Sequence, residues 1–220
     1  MDKKLNIISL NRKAWNNVAV RYNNANYSKL NPAIEFFSRE LPERAFILDL
    51  FSGTGLPFAK LFLEKGFNYL GVDISSQMIK IAQKNVPSAK FKEISMTNLK
   101  YDKEFDGVFS HYSMLLLNPH MFKDVAKKVA KSLKRNGLFY LSLNEPRVKD
   151  ADLDEDVICK IMGETMYPRA YTEEEILNIS SPLGLKCLKI YREIQNSEEF
   201  GTEYMIAFVF EKIGLTLDRL

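Results

Sequence analysis

Ile47-Leu48-Asp49-Leu50-Phe51-Ser52-Gly53-Thr54-Gly55, followed eighteen residues later by Asp73 at the end of a second apolar run, decides the fold of this chain. Residues 45–50 form a short apolar run of strand type, the glycines break the regular backbone, and residues 56–65 (LPFAKLFLEK) return to a helical period. Strand, glycine turn and helix follow in that order. Gly53 and Gly55 let the main chain turn sharply and approach a ligand, while the first N–H groups of the helix point at whatever anionic or polar group sits there. Residues 67–72 (FNYLGV) form the next strand, and Asp73 at its carboxyl end can accept hydrogen bonds from both hydroxyls of a ribose. The stretch reads as a cradle for a nucleotide-type cofactor.

Working outward, residues 10–22 fit an amphipathic helix with Trp15, Val18, Ala19 and Tyr22 on one side, and Pro32 opens a second helix through Leu41. After the strand at 67–73, Ser75 caps a helix that carries Met78, Ile79 and Ala82 on its apolar face and stops at Pro87. Strands are expected at 90–94, 105–110 and 138–143, with a helix at 119–134 that ends at Asn136-Gly137. Repeated strand–helix–strand order implies parallel neighbours joined by right-handed crossovers. A helix at 172–181 precedes two long β-type runs, 184–194 and 203–212, joined by only eight polar residues. That gap is too short for a helical crossover, so these two pair as an antiparallel hairpin. The expected fold is α/β: a Rossmann-like, doubly wound, seven-stranded sheet, mostly parallel, with an antiparallel C-terminal strand. Residues 1–220 read as one domain, with an N-terminal helical extension or lid at 1–42 and an insertion at 144–171 near the site.

A dinucleotide fold wants G-x-G-x-x-G, and that pattern is broken here at Phe51. Asp49-x-x-x-Gly53-x-Gly55 instead resembles motif I of the class I S-adenosylmethionine-dependent methyltransferases, usually written D-x-G-x-G-x-G. With the terminal hairpin, the resemblance covers about residues 12 to 212. It implies an enzyme that binds S-adenosylmethionine and releases S-adenosylhomocysteine. Asp49 would lie near the methionine ammonium, the turn Phe51, Ser52, Gly53, Thr54 and Gly55 would face the methionine part, and Asp73 would hold the ribose. Ile74 and Met78 would complete that side, Ser95, Met96 and Thr97 would lie beside the adenine, and Ser110 would close the carboxyl end of the fourth strand.

Methyl transfer from a sulfonium is an in-line displacement with a neutral leaving group, so the protein positions the nucleophile and removes its proton when it has one. His111 is the candidate general base, with an ordinary pKa near 6.5, and its alternative role is to shape the cofactor pocket by hydrogen bonding. Trp15, Tyr22, Tyr27, Tyr112 and the segment Tyr167-Pro168-Arg169-Ala170-Tyr171 are candidates for acceptor contact or for packing. Arg169 would pair with an acidic group of the substrate or with the Asp/Glu run at 150–156.

Composition excludes other classes. The chain has 220 residues, 46% apolar, enough for one large core without disulfides. Its 31 basic and 28 acidic residues give +3 with no dominant basic block, which argues against a dedicated nucleic-acid surface. Cys159, Cys187, His111 and His120 make no metal-ligand pattern. No apolar run of about 18 residues and no signal-type segment stands out, so a cytoplasmic protein is expected, monomeric or homodimeric, without membrane attachment. The loop Ser110-His111-Tyr112-Ser113 lacks both the [DNS]-P-P-[YFW] signature of amino-methylating nucleic-acid enzymes and the Pro-Cys nucleophile of pyrimidine-carbon methylation. A small-molecule acceptor is therefore the first expectation. RNA or protein methylation, a non-catalytic cofactor-binding module and a nicotinamide-dependent oxidoreductase are the rivals.

Overall fold

A computed structural model describes residues 6–24, 31–146, 158–197 and 201–214. Tyr27 and the acidic run at 150–156 lie outside the described residues. Helix α1 spans Ile7–Asn24 and α2 Pro32–Glu40. Then come β1 (Phe46–Leu50), α3 (Phe58–Glu64), β2 (Asn68–Asp73), α4 (Ser76–Asn85), β3 (Lys90–Glu93) and β4 (Phe105–His111). Next are α5 (Pro119–Ser132), β5 (Leu133–Asn144), β6 (Cys159–Ile161), β7 (Glu164–Met166), α6 (Glu173–Ser180), β8 (Leu185–Ser197) and β9 (Gly201–Lys212). Side chains at the helix starts fix these boundaries. Asn31, Ser75, Asn118 and Thr172 each accept the N–H three residues on, and Thr172 with Glu175 forms a reciprocal capping box.

The sheet order is β3-β2-β1-β4-β5-β9-β8. Strands β1 to β5 pair in parallel, and β9 lies antiparallel between β5 and β8. The direction of winding reverses between β1 and β4, so their carboxyl ends diverge and leave a crevice where open α/β sheets bind ligands. Helices α2 and α3 cover one face through Phe37, Phe58 and Phe62, which surround Phe109 and Tyr140. Helices α5 and α6 cover the other through Phe122, Val125, Val129 and Ile176. Alternation along β1 serves both layers: Leu48 and Leu50 point to one and Ile47 to the other.

Three local expectations are corrected. The third helix begins at Phe58, not at residue 56, because residues 53–57 complete the turn, with Gly55 N–H on Ser52 O and Ala59 N–H on Gly55 O. Asn136-Gly137 does not end α5, which stops at Ser132. The pair lies instead in a bulge of β5, where Asn136 has φ 62° and the pairing jumps from Phe105–Leu133 to Gly107–Leu138. The terminal strands are longer than expected and reach Ser197 and Gly201, so three residues separate them. Within the insertion, β6 and β7 form a small hairpin around Met162-Gly163, both at positive φ, which the sequence reading did not anticipate.

Candidate active site

The carboxyl ends of β1, β2 and β4 frame the candidate site. At the end of β1 the chain enters the left-handed region at Phe51 (φ 71°), then at Gly53 (φ 54°) and Gly55 (φ 78°). A non-glycine residue there costs roughly 1–2 kcal/mol, and contacts that hold Phe51 in place offset it. The Phe51 and Ser52 N–H groups donate to Val72 O at 2.7 and 2.9 Å, and the Phe51 ring meets Trp15 edge-on at 5.2 Å. The turn thus keeps a glycine-type backbone although a phenylalanine stands in it. At Gly53 a side chain would meet only the Tyr22 ring, at 3.7 Å, which leaves the main chain open to a ligand.

Two buried acids flank the turn. Asp49 lies in β1 beside Gly71 of β2, and its Oδ2 accepts from the Tyr69 hydroxyl at 2.6 Å. Asp73 ends β2; its Oδ2 accepts from Gly53 N–H at 3.0 Å and its Oδ1 from Ser75 N–H at 2.7 Å. Burial raises both carboxyls from 3.8 to about 7. Asp73 therefore ties the glycine turn to the start of α4, and each of its oxygens keeps a second lone pair for a ligand hydroxyl.

A cavity of about 1390 Å³, part of it open solvent, lies over the turn, and a slot of about 360 Å³ lies beside Asp73. Phe51 and Leu116 belong to both walls and separate the two spaces. Asp49, Ser52, Gly53, Met78, His111 and Tyr112 face the larger space, as do Trp15 and Tyr22 of α1. Asp73, Ile74, Ser95 and Met96 face the slot. Among the described residues, Trp15 Nε1, Ser52 Oγ, Tyr112 OH and Asn144 Oδ1 are buried without a hydrogen-bond partner, and all four residues line the larger space. Each such atom costs about 1–3 kcal/mol until something pairs with it, which marks this as a place for a polar ligand. No lysine or arginine stands among the described residues of either wall. Buried acids, neutral donors and an open glycine turn fit a ligand that carries a sulfonium and an ammonium, and they do not fit a phosphate.

A family profile described as a methyltransferase domain matches residues 47–137, the span from β1 into β5. Over that span, which is less than half of the chain, the sequence is similar to the S-adenosylmethionine-dependent methyltransferases. The chain is 31% identical over 137 residues to the Bacillus subtilis (strain 168) protein YqeM, itself named as a methyltransferase, a match covering 56% of this chain and 55% of that one. It is 31% identical over 114 residues to a 23S rRNA (uracil(747)-C(5))-methyltransferase of Pyrococcus abyssi, covering 51% of this chain and 25% of that protein. The chain thus spans about half the length, or less, of these curated relatives. In fold it is similar to the 1,6-didemethyltoxoflavin-N1-methyltransferase of Burkholderia thailandensis, whose structure holds 1,6-didemethyltoxoflavin and S-adenosylhomocysteine. The TM-score is 0.73 at 17% identity, with 97% of this chain and 94% of that one covered.

Several residues singled out from the sequence stand apart from these two cavities. Gly55 packs against Phe91 and Ala82, and Thr54 is buried, its carbonyl accepting from Asn85 Nδ2 at 2.9 Å. Thr97 bonds to the Ser95 hydroxyl, and Ser110 to Ser113 at 2.6 Å. Arg169 pairs with Glu175 at 2.8 Å rather than with the run at 150–156, and it lies over the Tyr171 ring at 4.4 Å. Tyr167 and Tyr171 are core residues, the latter with its hydroxyl on Leu117 O at 2.6 Å. His111 needs a further correction, because burial lowers it from 6.5 to about 3, so it is a neutral and weak base across the physiological range.

The sequence reading missed Tyr69, which holds Asp49, and Tyr140 with Ser142, which hold His111. A tyrosine or serine inside an apolar strand reads as core filling. It also missed the asparagines of α1. Asn16 Oδ1 accepts from Ser75 Oγ at 2.7 Å and from Gln77 N–H at 3.3 Å, and Asn23 Oδ1 accepts from Asn85 Nδ2 at 2.7 Å. These bonds lay α1 along α4, over the glycine turn.

Proposed function

We propose that this chain is a methyltransferase that binds S-adenosylmethionine across the two spaces and transfers its methyl group to an uncharged or cationic small molecule, releasing S-adenosylhomocysteine. The carrying observation is the pair of buried acids beside an open glycine turn, in walls without a cation among the described residues. When bound, the cofactor supplies an electrophilic methyl on a positively charged sulfur. The chain's own residues bind and orient. Asp49 and the turn at Phe51–Gly53 would receive the methionine part, Asp73 a ribose hydroxyl, and Ser95 with Met96 the adenine edge and face. Tyr112, His111 and the aromatic wall of Trp15, Tyr22 and Phe58 exclude water from the larger space, where an acceptor would stand.

The acids also set the preference for charge. An anionic acceptor would meet the buried Asp49 in a wall that holds no lysine or arginine among the described residues, and repulsion in a poorly solvated cavity disfavours it. A second reading, methylation of an RNA base, has the ribosomal RNA relative in its favour and the sign of these walls against it. Calorimetric titration with S-adenosylhomocysteine, with NAD in parallel, tests the cofactor; micromolar binding of the first alone is expected. Transfer of labelled methyl to uncharged and amine-bearing heterocycles, with total RNA alongside, then tests the acceptor class. Label appearing only in RNA would overturn the small-molecule reading.

A further inference from the structure

The surroundings of His111 determine which of its ring nitrogens carries the proton. Its Nδ1 lies 3.1 Å from the Tyr140 hydroxyl and 3.0 Å from Ser142 Oγ. Both hydroxyls already accept a hydrogen bond from elsewhere. Asn31 Nδ2 donates to Tyr140 at 3.1 Å, and this amide is oriented because Asn31 Oδ1 accepts from Ile34 N–H. The Tyr112 N–H donates to Ser142 Oγ at 3.1 Å. Each hydroxyl therefore has its own proton to place, and within the cluster the bare acceptor is Nδ1. A proton on Nδ1 would put three donors among two oxygens that are already engaged, and one proton would have nothing to meet. With Nδ1 bare, its single lone pair takes the Tyr140 proton and the Ser142 hydroxyl donates to the Tyr140 oxygen, so every proton in the cluster has a partner.

We propose that His111 is held as the Nε2–H tautomer and works as an uncharged hydrogen-bond donor, presenting that N–H to a carbonyl or hydroxyl oxygen of the methyl acceptor. The ring edge opposite the Tyr140–Ser142 pair is the one left for the larger cavity, which His111 lines. Phe58 and Tyr112 flank the ring at 4.9 Å each, both in edge contact, and shield that bond from water. Among the described residues, Phe109 and Tyr140 stack on the ring, and neither carries a charge at neutral pH. An uncharged imidazole with a fixed tautomer suits the task of gripping an oxygen and drawing electron density from it; it does not suit removing a proton. The acceptor class follows as a molecule with an oxygen lone pair near the nucleophilic atom. This assignment rests on the larger space being the acceptor site.

The tautomer is measurable without knowing the acceptor. In protein labelled with 15N-histidine, and carrying His120→Gln so that one histidine remains, two-bond proton–nitrogen correlations should show Nε2 protonated and Nδ1 bare from pH 5 to 8. The double variant Tyr140→Phe, Ser142→Ala should turn this single tautomer into a mixture, a change that packing alone would not produce. A ring protonated on Nδ1, or one taking a second proton in that range, overturns the proposal. Its ligand half is read with S-adenosylhomocysteine present, using 1-indanone and indane, which differ by one carbonyl oxygen. A preference of about three- to tenfold for indanone is expected, the scale of one net hydrogen bond, and His111→Ala should erase it. Equal affinities, no binding of either, or a preference that survives His111→Ala overturns it. Failure of S-adenosylhomocysteine to bind at all would break the methyltransferase reading instead and would leave the tautomer result standing.

Discussion

In the proposed site, folding and ligand binding make opposite demands on Asp49. Burial lifts its folded pKa to about 7, against 3.8 in an open chain, so the folded protein holds a proton that the unfolded chain releases between those values. The stability contributed by the neutral carboxyl is complete below about pH 4 and is lost as the pH rises through 7, at about 1.4 kcal/mol for each pH unit inside the window. A cation in the cavity favours the ionised form, so affinity for S-adenosylmethionine should rise from pH 5.5 to about 7.5 and then level off. Asp49→Asn separates the two demands. It keeps an acceptor for the Tyr69 hydroxyl and removes the buried charge, so the ligand-free variant should melt about 10 °C or more above the parent at pH 8 and only a few degrees above it at pH 5. Its affinity for S-adenosylmethionine should fall about tenfold or more, the scale of a charge-assisted contact. Melting curves at the two pH values check the first expectation, and an unchanged melting point at pH 8 would show that the carboxylate is not strained by its burial.

At the scale of elements, α1 acts as a roof and α4 as the beam it rests on. Asn16 joins it to the start of α4, and Asn23 joins it to Asn85, which in turn holds the Thr54 carbonyl. Trp15 and Tyr22, 5.5 Å apart and edge-on, hang from this roof into the larger space. Asn16→Ala removes two bonds from the strap and none from the cavity wall, and should speed release of S-adenosylhomocysteine about three- to tenfold with little change in association. Stopped-flow displacement measures this, and an unchanged off-rate would show that the roof does not gate release. The same elements show what a sequence discloses. Strand, glycine turn and acid were legible because each rests on a local rule: apolar run, positive φ, carboxylate at a strand end. Asn136-Gly137 misled because the pair satisfies both a helix end and a bulge, and only pairing with β4 decides between them. The straps of α1 were hidden because an asparagine on a helix gives no sign of the partner it will meet about sixty residues away.

The whole molecule divides its labour along the sheet. β5, β9 and β8 make a broad antiparallel end that covers α2, α5 and α6, while the crevice is left where β1 and β4 turn away from each other. This division explains why the placement of the cavity was legible from strand order alone, whereas its occupant was not. The occupant depends on Asn144 in the cavity wall and on Tyr69, Tyr140 and Ser142, which hold Asp49 and His111 from β2 and β5 and carry no signature of their own. A ligand in the crevice touches both halves of the winding at once, β1 with β2 on one side and β4 with β5 on the other. It should therefore stabilise the fold as one unit. At about one hundred times its dissociation constant, S-adenosylhomocysteine adds about 2.7 kcal/mol, which for a chain of this size raises the melting point by about 5–10 °C. The transition should stay single, because the acids, the turn and the β4 end belong to the same sheet. A shift of that size in one cooperative step ties the site to the central sheet, whereas a ligand that splits the melt in two would place binding on the α1 roof or the terminal hairpin alone.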